Sequence, residues 1–318
     1  MQMKIFFSCS LIFLGYITAS DPKCNDMVTD PCVCISVGSS TNCDGVTTGA
    51  KLKEFFNTKP AATVDSITIT NAHQLTSIPA DVFGSVKTKH VFIAKTSLSS
   101  IDDNAFQGSE NVLESIILNE NNFPSFNFKS LTNLNKLDGF RITNDKLTEV
   151  PQEAFPNLPL ILDIDLANNS ITSIKNNAFH SLPFVRLIDL HGNKLTTIGD
   201  EVFNLGNTKN RVAINLNSNK ISSITQNAFK DLKVKNLELE NNKLETLPQT
   251  TFEPILNYLN TLGNEPGVIH LKGNPFKCNS SIRWLVTKST TYKRRVANFK
   301  CHSNGKNLNQ LTEADLTD

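Results

Sequence analysis

The stretch "LIDLHGNKLTTI", Leu187 to Ile198, sets one asparagine, Asn193, among leucines and isoleucines spaced as though all were bound for a core. A shift of 24 residues upstream finds "DIDLANNSITSI", where Ile164, Leu166, Asn169, Ile171 and Ile174 match Ile188, Leu190, Asn193, Leu195 and Ile198 in register. The stretch is one copy of a repeat. Apolar pairs of the same form stand at Ile67/Ile69, Val91/Ile93, Ile116/Leu118, Phe140/Ile142, Ile164/Leu166, Ile188/Leu190, Ile214/Leu216, Leu237/Leu239 and Ile269/Leu271. They are 23 to 26 residues apart except the last, which follows after 32 and carries an insertion. Phrases such as "NNAFHSL" and "QEAFPNL" close the copies, with Phe83, Phe106, Phe155, Phe179, Phe203, Phe229 and Phe252 marking the period. That accounts for 20 Phe beside one Trp and three Tyr.

A unit this short cannot bury its apolar face alone, so neighbouring copies stack into a quasi-one-dimensional solenoid. With one strand per copy and about 4.8 Å between strands, the repeats make a parallel sheet roughly 40 Å long. Beyond each strand the backbone turns inside the protein, where an unmet peptide group costs about 1 to 3 kcal/mol. A side-chain amide both donates and accepts. The polar column Thr96, Asn121, Asp145, Asn169, Asn193, Asn219, Asn242 and Asn274 is therefore expected to satisfy the neighbouring coil. The first copy, "ITITNAHQLTSI", offers no clean asparagine there, as expected where a terminal repeat is reshaped to meet a cap.

The pattern resembles the leucine-rich-repeat family, L-x-x-L-x-L-x-x-N-x-L, from about Val64 to Phe276. The resemblance implies an α/β solenoid, a horseshoe with a parallel sheet on its concave face and disulfide-bonded caps at both ends. The expected division is a signal peptide over 1–20, a cysteine-rich N-terminal cap over 21–63, about nine repeats over 64–273, and a C-terminal cap and tail over 274–318.

Lys4, the apolar run Ile5 to Ile17 and the small residues Thr18, Ala19 and Ser20 before "DPKC" read as a secretory signal cleaved near Ser20. The run falls short of the roughly 20 apolar residues that a spanning helix needs. No other segment suits a membrane span, and the C-terminal "LNQLTEADLTD" is polar, without a lipid-anchor tail. A soluble, secreted product is expected.

Of seven cysteines, Cys9 leaves with the signal and the other six sit only at the ends, which suits an oxidising compartment. Cys24, Cys32, Cys34 and Cys43 precede the first repeat and allow three pairings; zinc binding is the rival reading, weakened by the export signal. Their order resembles the N-terminal cap of extracellular leucine-rich-repeat proteins, which implies Cys24 with Cys34 and Cys32 with Cys43. At the other end "NPFKCNSSIRWLVTK" resembles the C-terminal cap, with Cys278 and Trp284 in place. Ser280 stands where the family has a second cysteine, and no fourth follows Cys301. The family joins those two missing positions, so the resemblance leaves one bond, Cys278 to Cys301. A single bond puts the order of the tail after His302 in question, and Trp284 is expected to plug the last coil.

With 31 Lys and Arg against 30 Asp and Glu, the chain has no global charge that would favour nucleic acid or an anionic membrane. One local exception is "TKSTTYKRRVANFK", where Lys288, Lys293, Arg294, Arg295 and Lys300 form either a site for a sulfated glycan or a plain solvated face. The chain carries no G-x-S-x-G, H-E-x-x-H, phosphate-binding glycine loop or C-x-x-C pair. His73, His90, His180, His191, His270 and His302 are scattered without metal-ligand spacing. Neither a catalytic centre nor a cofactor or metal is expected.

Residues between the paired apolar positions of each strand point away from the core onto the concave face. The central column reads Thr68, Phe92, Ile117, Arg141, Asp165, Asp189, Asn215, Glu238 and His270, with Asp163 and Glu240 flanking its acidic stretch. Phe92, Ile117, Arg141, Asp165, Asp189, His191 and Glu238 are the candidate contacts to an extracellular protein partner, with His191 a contact rather than a base. On the plainer reading, Arg141 pairs with Asp165 and the rest is solvated. Two glycosylation sequons begin at Asn168 and Asn279.

The phrases "DPCVC", "VFIAKTSLSSIDDNAF" and "LESIILNENNFPSFNFKSLTNL" resemble a group of secreted arthropod leucine-rich-repeat proteins. That group is described as similar to the non-catalytic subunit of a shrimp luciferin monooxygenase, and the resemblance implies a non-enzymatic accessory protein. The expected function is a secreted protein-binding module. The rivals are a stabilising subunit of a secreted enzyme and a glycan binder that uses the basic cap.

Overall fold

The computed structural model describes residues 31–35, 40–206 and 208–317. The leader 1–20, Cys24 and the Cys34 side chain, and with them the Cys24 to Cys34 bond, lie outside the described residues.

Alternating burial organises each strand. Ile164 and Ile188 are fully buried while their neighbours Asp163, Asp165, Leu187 and Asp189 face outward. The buried residues align across strands, Ile67 beside Val91, Val91 beside Ile116, Ile116 beside Phe140, then Ile164, Ile188, Ile214, Leu237 and Ile269. The result is a sheet of 12 strands that follow one another in chain order. It runs past the repeats at both ends. Ser40–Asn42 of the N-terminal cap pairs parallel to Ala62–Thr70, and Val296–Ala297 of the C-terminal cap pairs parallel to Val268–His270. Among the described strands of this sheet, the outermost pair, Val33–Ile35 with Ser40–Asn42, is the antiparallel one.

On the convex side the return segments are turns and two-residue strands such as Glu149–Val150 with Ser173–Ile174. Full helices stand near the ends: Gly49–Asn57, capped by the Thr48 side chain, and Gln249–Thr261, which occupies the long insertion. Between the two layers the phenylalanines stack. Phe155, Phe179, Phe203 and Phe229 follow one another with ring centroids 5.5, 5.7 and 5.5 Å apart and planes within 15°.

The polar column lies in the turn after each strand and is buried throughout. Asn193 Nδ2 donates to Leu190 O of its own coil at 2.9 Å and to Leu166 O of the preceding coil at 3.0 Å, while its Oδ1 accepts from Ile171 N at 3.0 Å. Asn169 and Asn219 repeat that pattern on their own neighbours. Asp145 differs: its carboxylate accepts from Asn121 N, Phe123 N and Lys146 N, and burial still pushes its pKa upward. In the first copy the position belongs to buried Ala72, so the ladder ends in a methyl group. A second column, unread in the sequence, precedes the ladder. Asn71, Lys95, Glu120, Asn144, Asn168, Gly192, Ser218, Asn241 and Gly273 all have positive φ, between 53° and 77°. Six of the nine are Asn or Gly, the residues that tolerate the left-handed region, and Lys95, Glu120 and Ser218 take it without that preference.

Asn193→Ala strands three buried backbone partners and is expected to lower unfolding free energy by about 1 to 3 kcal/mol. His191→Ala, at a surface ion pair, should change it by less than about 1 kcal/mol. Urea denaturation of both variants checks the pair, and equal losses would contradict this register.

The Cys32 to Cys43 and Cys278 to Cys301 bonds close the two caps. Residues 303–317 pack back on the cap with a single nearby disulfide. Leu308 and Leu311 are buried, Lys306 pairs with Asp315 at 2.5 Å, and Thr317 N returns to Cys278 O. Trp284 is half-buried rather than a full plug, with Nε1 donating to Leu247 O at 2.9 Å. Among the described residues no helix is long and apolar enough to cross a membrane.

Candidate partner-binding surface

The central concave column is continuous across the sheet. Phe92 pairs in register with Ile117, Ile117 with Arg141, Arg141 with Asp165, Asp165 with Asp189, Asp189 with Asn215, Asn215 with Glu238, and Glu238 with His270. Phe92 and Ile117, side by side on neighbouring strands, are both half-buried. With Arg141 they line a depression of about 430 Å³ that also takes in Thr70, Ala94, Lys95, Asn119 and Glu120.

The acidic stretch beyond is largely satisfied from within. Asp165 Oδ1 accepts the Ala167 N–H at 3.1 Å, Asp189 Oδ1 the His191 N–H at 3.0 Å, and Asn215 Oδ1 the Asn217 N–H at 3.1 Å. These are short local turns in which a side-chain acceptor two residues back caps the end of a strand. Asp165 and Asp189 are thus partly dictated by the fold. His191 Nδ1 lies 2.8 Å from Asp189 Oδ1, Asn215 Nδ2 donates to Asp189 Oδ2 at 3.1 Å, and His270 Nε2 lies 3.5 Å from Glu238 Oε1. Asp163 faces Arg186 at 3.8 Å and Glu240 accepts from Asn298. Burial pushes the Asp165 and Glu238 carboxyls above their ordinary pKa values.

Arg141 is the outlier. Its Nε sits 2.9 Å from Asp165 Oδ2, yet off the line of a hydrogen bond, so this buried N–H has no aligned acceptor among the described residues.

The bond to Asp189 raises the pKa of His191 above its ordinary value, opposed by burial and assisted by the charges of Asp189 and Asp165. A raised folded-state pKa makes the contribution to stability complete below the unfolded value of about 6.5 and lost as pH rises through the folded one. An NMR titration of the His191 ring should give a midpoint above that of an exposed histidine. Asp189→Asn should lower it, and an unmoved midpoint would count against the pairing.

The basic cluster of the C-terminal cap is dispersed. Arg295 is 5% exposed and donates to the carbonyls of Gly263, Glu265 and Gly267 at 2.6, 2.9 and 3.1 Å, while Lys288 pairs with Glu253. Lys293, Arg294 and Lys300 remain exposed. Of the sequons, Asn168 is exposed and packs over Gly192, where any Cβ would meet its Oδ1. Asn279 is half-buried, with Oδ1 accepting from both the N–H and hydroxyl of Ser281. Among the described residues no group of three His, Cys, Asp or Glu is arranged to hold a metal ion.

Comparison with known proteins agrees with this architecture. A leucine rich repeat family model matches residues 139–195, and a BspA type leucine rich repeat region model matches 172–308. Over 312 residues the chain is 25% identical to the Oplophorus-luciferin 2-monooxygenase non-catalytic subunit of Oplophorus gracilirostris, covering 89% of this chain and 84% of that one. Among solved structures, a chain of the octameric complex of latrophilin 3 (Lec, Olf), Unc5D (Ig, Ig2, TSP1) and FLRT2 (LRR) superposes with a TM-score of 0.57. It covers 85% of this chain and 88% of that chain at 17% identity, a likeness of fold alone. Repeats, ladder, caps and these matches agree on a leucine-rich-repeat fold, in a chain that resembles the non-catalytic subunit of Oplophorus-luciferin 2-monooxygenase.

Proposed function

We propose that the protein is a secreted, non-enzymatic binding module that holds an extracellular protein partner on its concave face. The observation that carries this reading is the half-exposed apolar step of Phe92 and Ile117, set in a face whose charges are otherwise mostly paired. Apolar anchors at the centre of a patch supply most interface energy, while charged rims tune rate and salt dependence. Asp165, Asp189, His191 and Glu238 then form such a rim.

Affinity capture with the full mature chain from extracellular fluid supplies the partner for a binding test. Phe92→Ala should weaken that complex by about 2 kcal/mol or more at a stability cost below about 1 kcal/mol, the usual value of a cross-strand pair. Asp189→Asn should act mainly on the association rate. Normal binding by Phe92→Ala would move the interface elsewhere, with Arg294 the next residue to test.

A second reading, a non-catalytic subunit that stabilises a secreted enzyme, is favoured by the printed name of the 25% identical relative. The two readings part on the identity of the captured protein. An enzyme that loses activity or solubility without this chain supports the second; any other partner supports the first.

A further inference from the structure

The depression over Phe92 and Ile117 sets an apolar floor beside two cations, Lys95 and Arg141. Among the described residues the Lys95 side chain makes no ion pair or hydrogen bond, and the buried Nε–H of Arg141, though 2.9 Å from Asp165 Oδ2, has no aligned acceptor. The one acid in the lining, Glu120, accepts from Asn119. Beyond Arg141 the next carboxylate along the column, Asp165, gives Oδ1 to the Ala167 N–H and faces the guanidinium with Oδ2 alone, off the line of a hydrogen bond to Nε. A planar guanidinium with free N–H groups is suited to a second carboxylate held at its outer edge.

The spacing sets a finer constraint. From the midpoint of Phe92 and Ile117 to Arg141 is one and a half strand separations, about 7 Å, and same-face side chains of an extended chain are also about 7 Å apart. An extended segment lying across the strands would place an apolar side chain on the floor and the side chain two residues away on Arg141. We infer that this depression recognises an extended peptide segment of the form apolar-x-acid, with an aromatic or long aliphatic side chain on Phe92 and Ile117 and an Asp or Glu carboxylate on Arg141. The inference rests on the proposal that the concave face binds a protein, and it specifies the chemistry of that partner.

The probe is a displayed library of random 12-residue peptides selected on the full mature chain, followed by synthesis of the enriched peptides. The expected result is an enriched apolar-x-acid pattern. Replacing the peptide acid by its amide should weaken binding at least tenfold, and Phe92→Ala and Arg141→Met should each do the same. Because Arg141→Met alone leaves the half-buried Asp165 unpaired, Arg141→Met/Asp165→Asn provides a folded control that should behave likewise. A library that yields no peptide dependent on Arg141 overturns the inference. If such peptides still depend on Phe92, the concave-face reading stands; if binding is indifferent to both residues, that reading fails as well.

Discussion

Phe179→Ala is expected to cost about 3 to 5 kcal/mol, the range for deleting a buried aromatic. The ring is fully buried between Phe155 and Phe203, with centroids 5.5 and 5.7 Å away. In a solenoid each copy touches only its neighbours, so no remote segment can collapse into the vacancy. The lost stacking would be felt on both sides, and thermal or urea unfolding should show a lower midpoint or a transition broken into two. A loss under about 1 kcal/mol, as at a surface site, would mean that the phenylalanine column is not the core.

Arg295→Met is the second large effect. Methionine keeps much of the stem but removes the donors that hold the carbonyls of Gly263, Glu265 and Gly267, the turn after the helix Gln249–Thr261. Hydrogen bonds to a charged group contribute about 1.5 to 3 kcal/mol each. Those of one side chain are not additive, so a total loss of about 3 kcal/mol or more is expected. Exposed Arg294→Met, one residue earlier, should stay within about 0.5 kcal/mol. Equal effects would return Arg295 to the surface and restore the basic cluster as a candidate glycan site.

Those two arginines show what the sequence could and could not reveal. Strand positions, ladder and phenylalanine column follow from a period repeated nine times, because each copy is under the same packing constraint and the shared signal accumulates. Arg294 and Arg295 occur once, in a cap with no period. Nothing in "KRR" tells which guanidinium turns inward, since that depends on the carbonyls left by a helix more than 30 residues earlier. The tail after His302 was unreadable for the same reason: its leucines gain meaning only where the last coil leaves an apolar end to cover. On the concave face, the column was legible but its roles were not. Asp165 and Asp189 looked like free surface acids, whereas the N–H groups two residues on claim one oxygen of each. An alternating pattern reports which face a side chain takes; it does not report what the backbone there lacks.

The asparagine ladder also has a direction. Asn169, Asn193 and Asn219 each reach toward the preceding coil, taking its N–H and feeding its carbonyl, as Asn193 does with Ile171 and Leu166. A coil emerging from the ribosome therefore carries unanswered peptide groups until its successor has been synthesised. Completion moves from the N-terminus toward the C-terminus, always one copy behind translation. At the last repeat Asn274 serves the coil before it, and the Phe276 carbonyl of its own coil is met by His302 N of the disulfide-closed cap, as Lys194 N meets Ile171 O within the repeats. The C-terminal cap is in this sense the stop signal of a vectorial assembly, and a chain released before Cys301 would leave its newest coil unfinished.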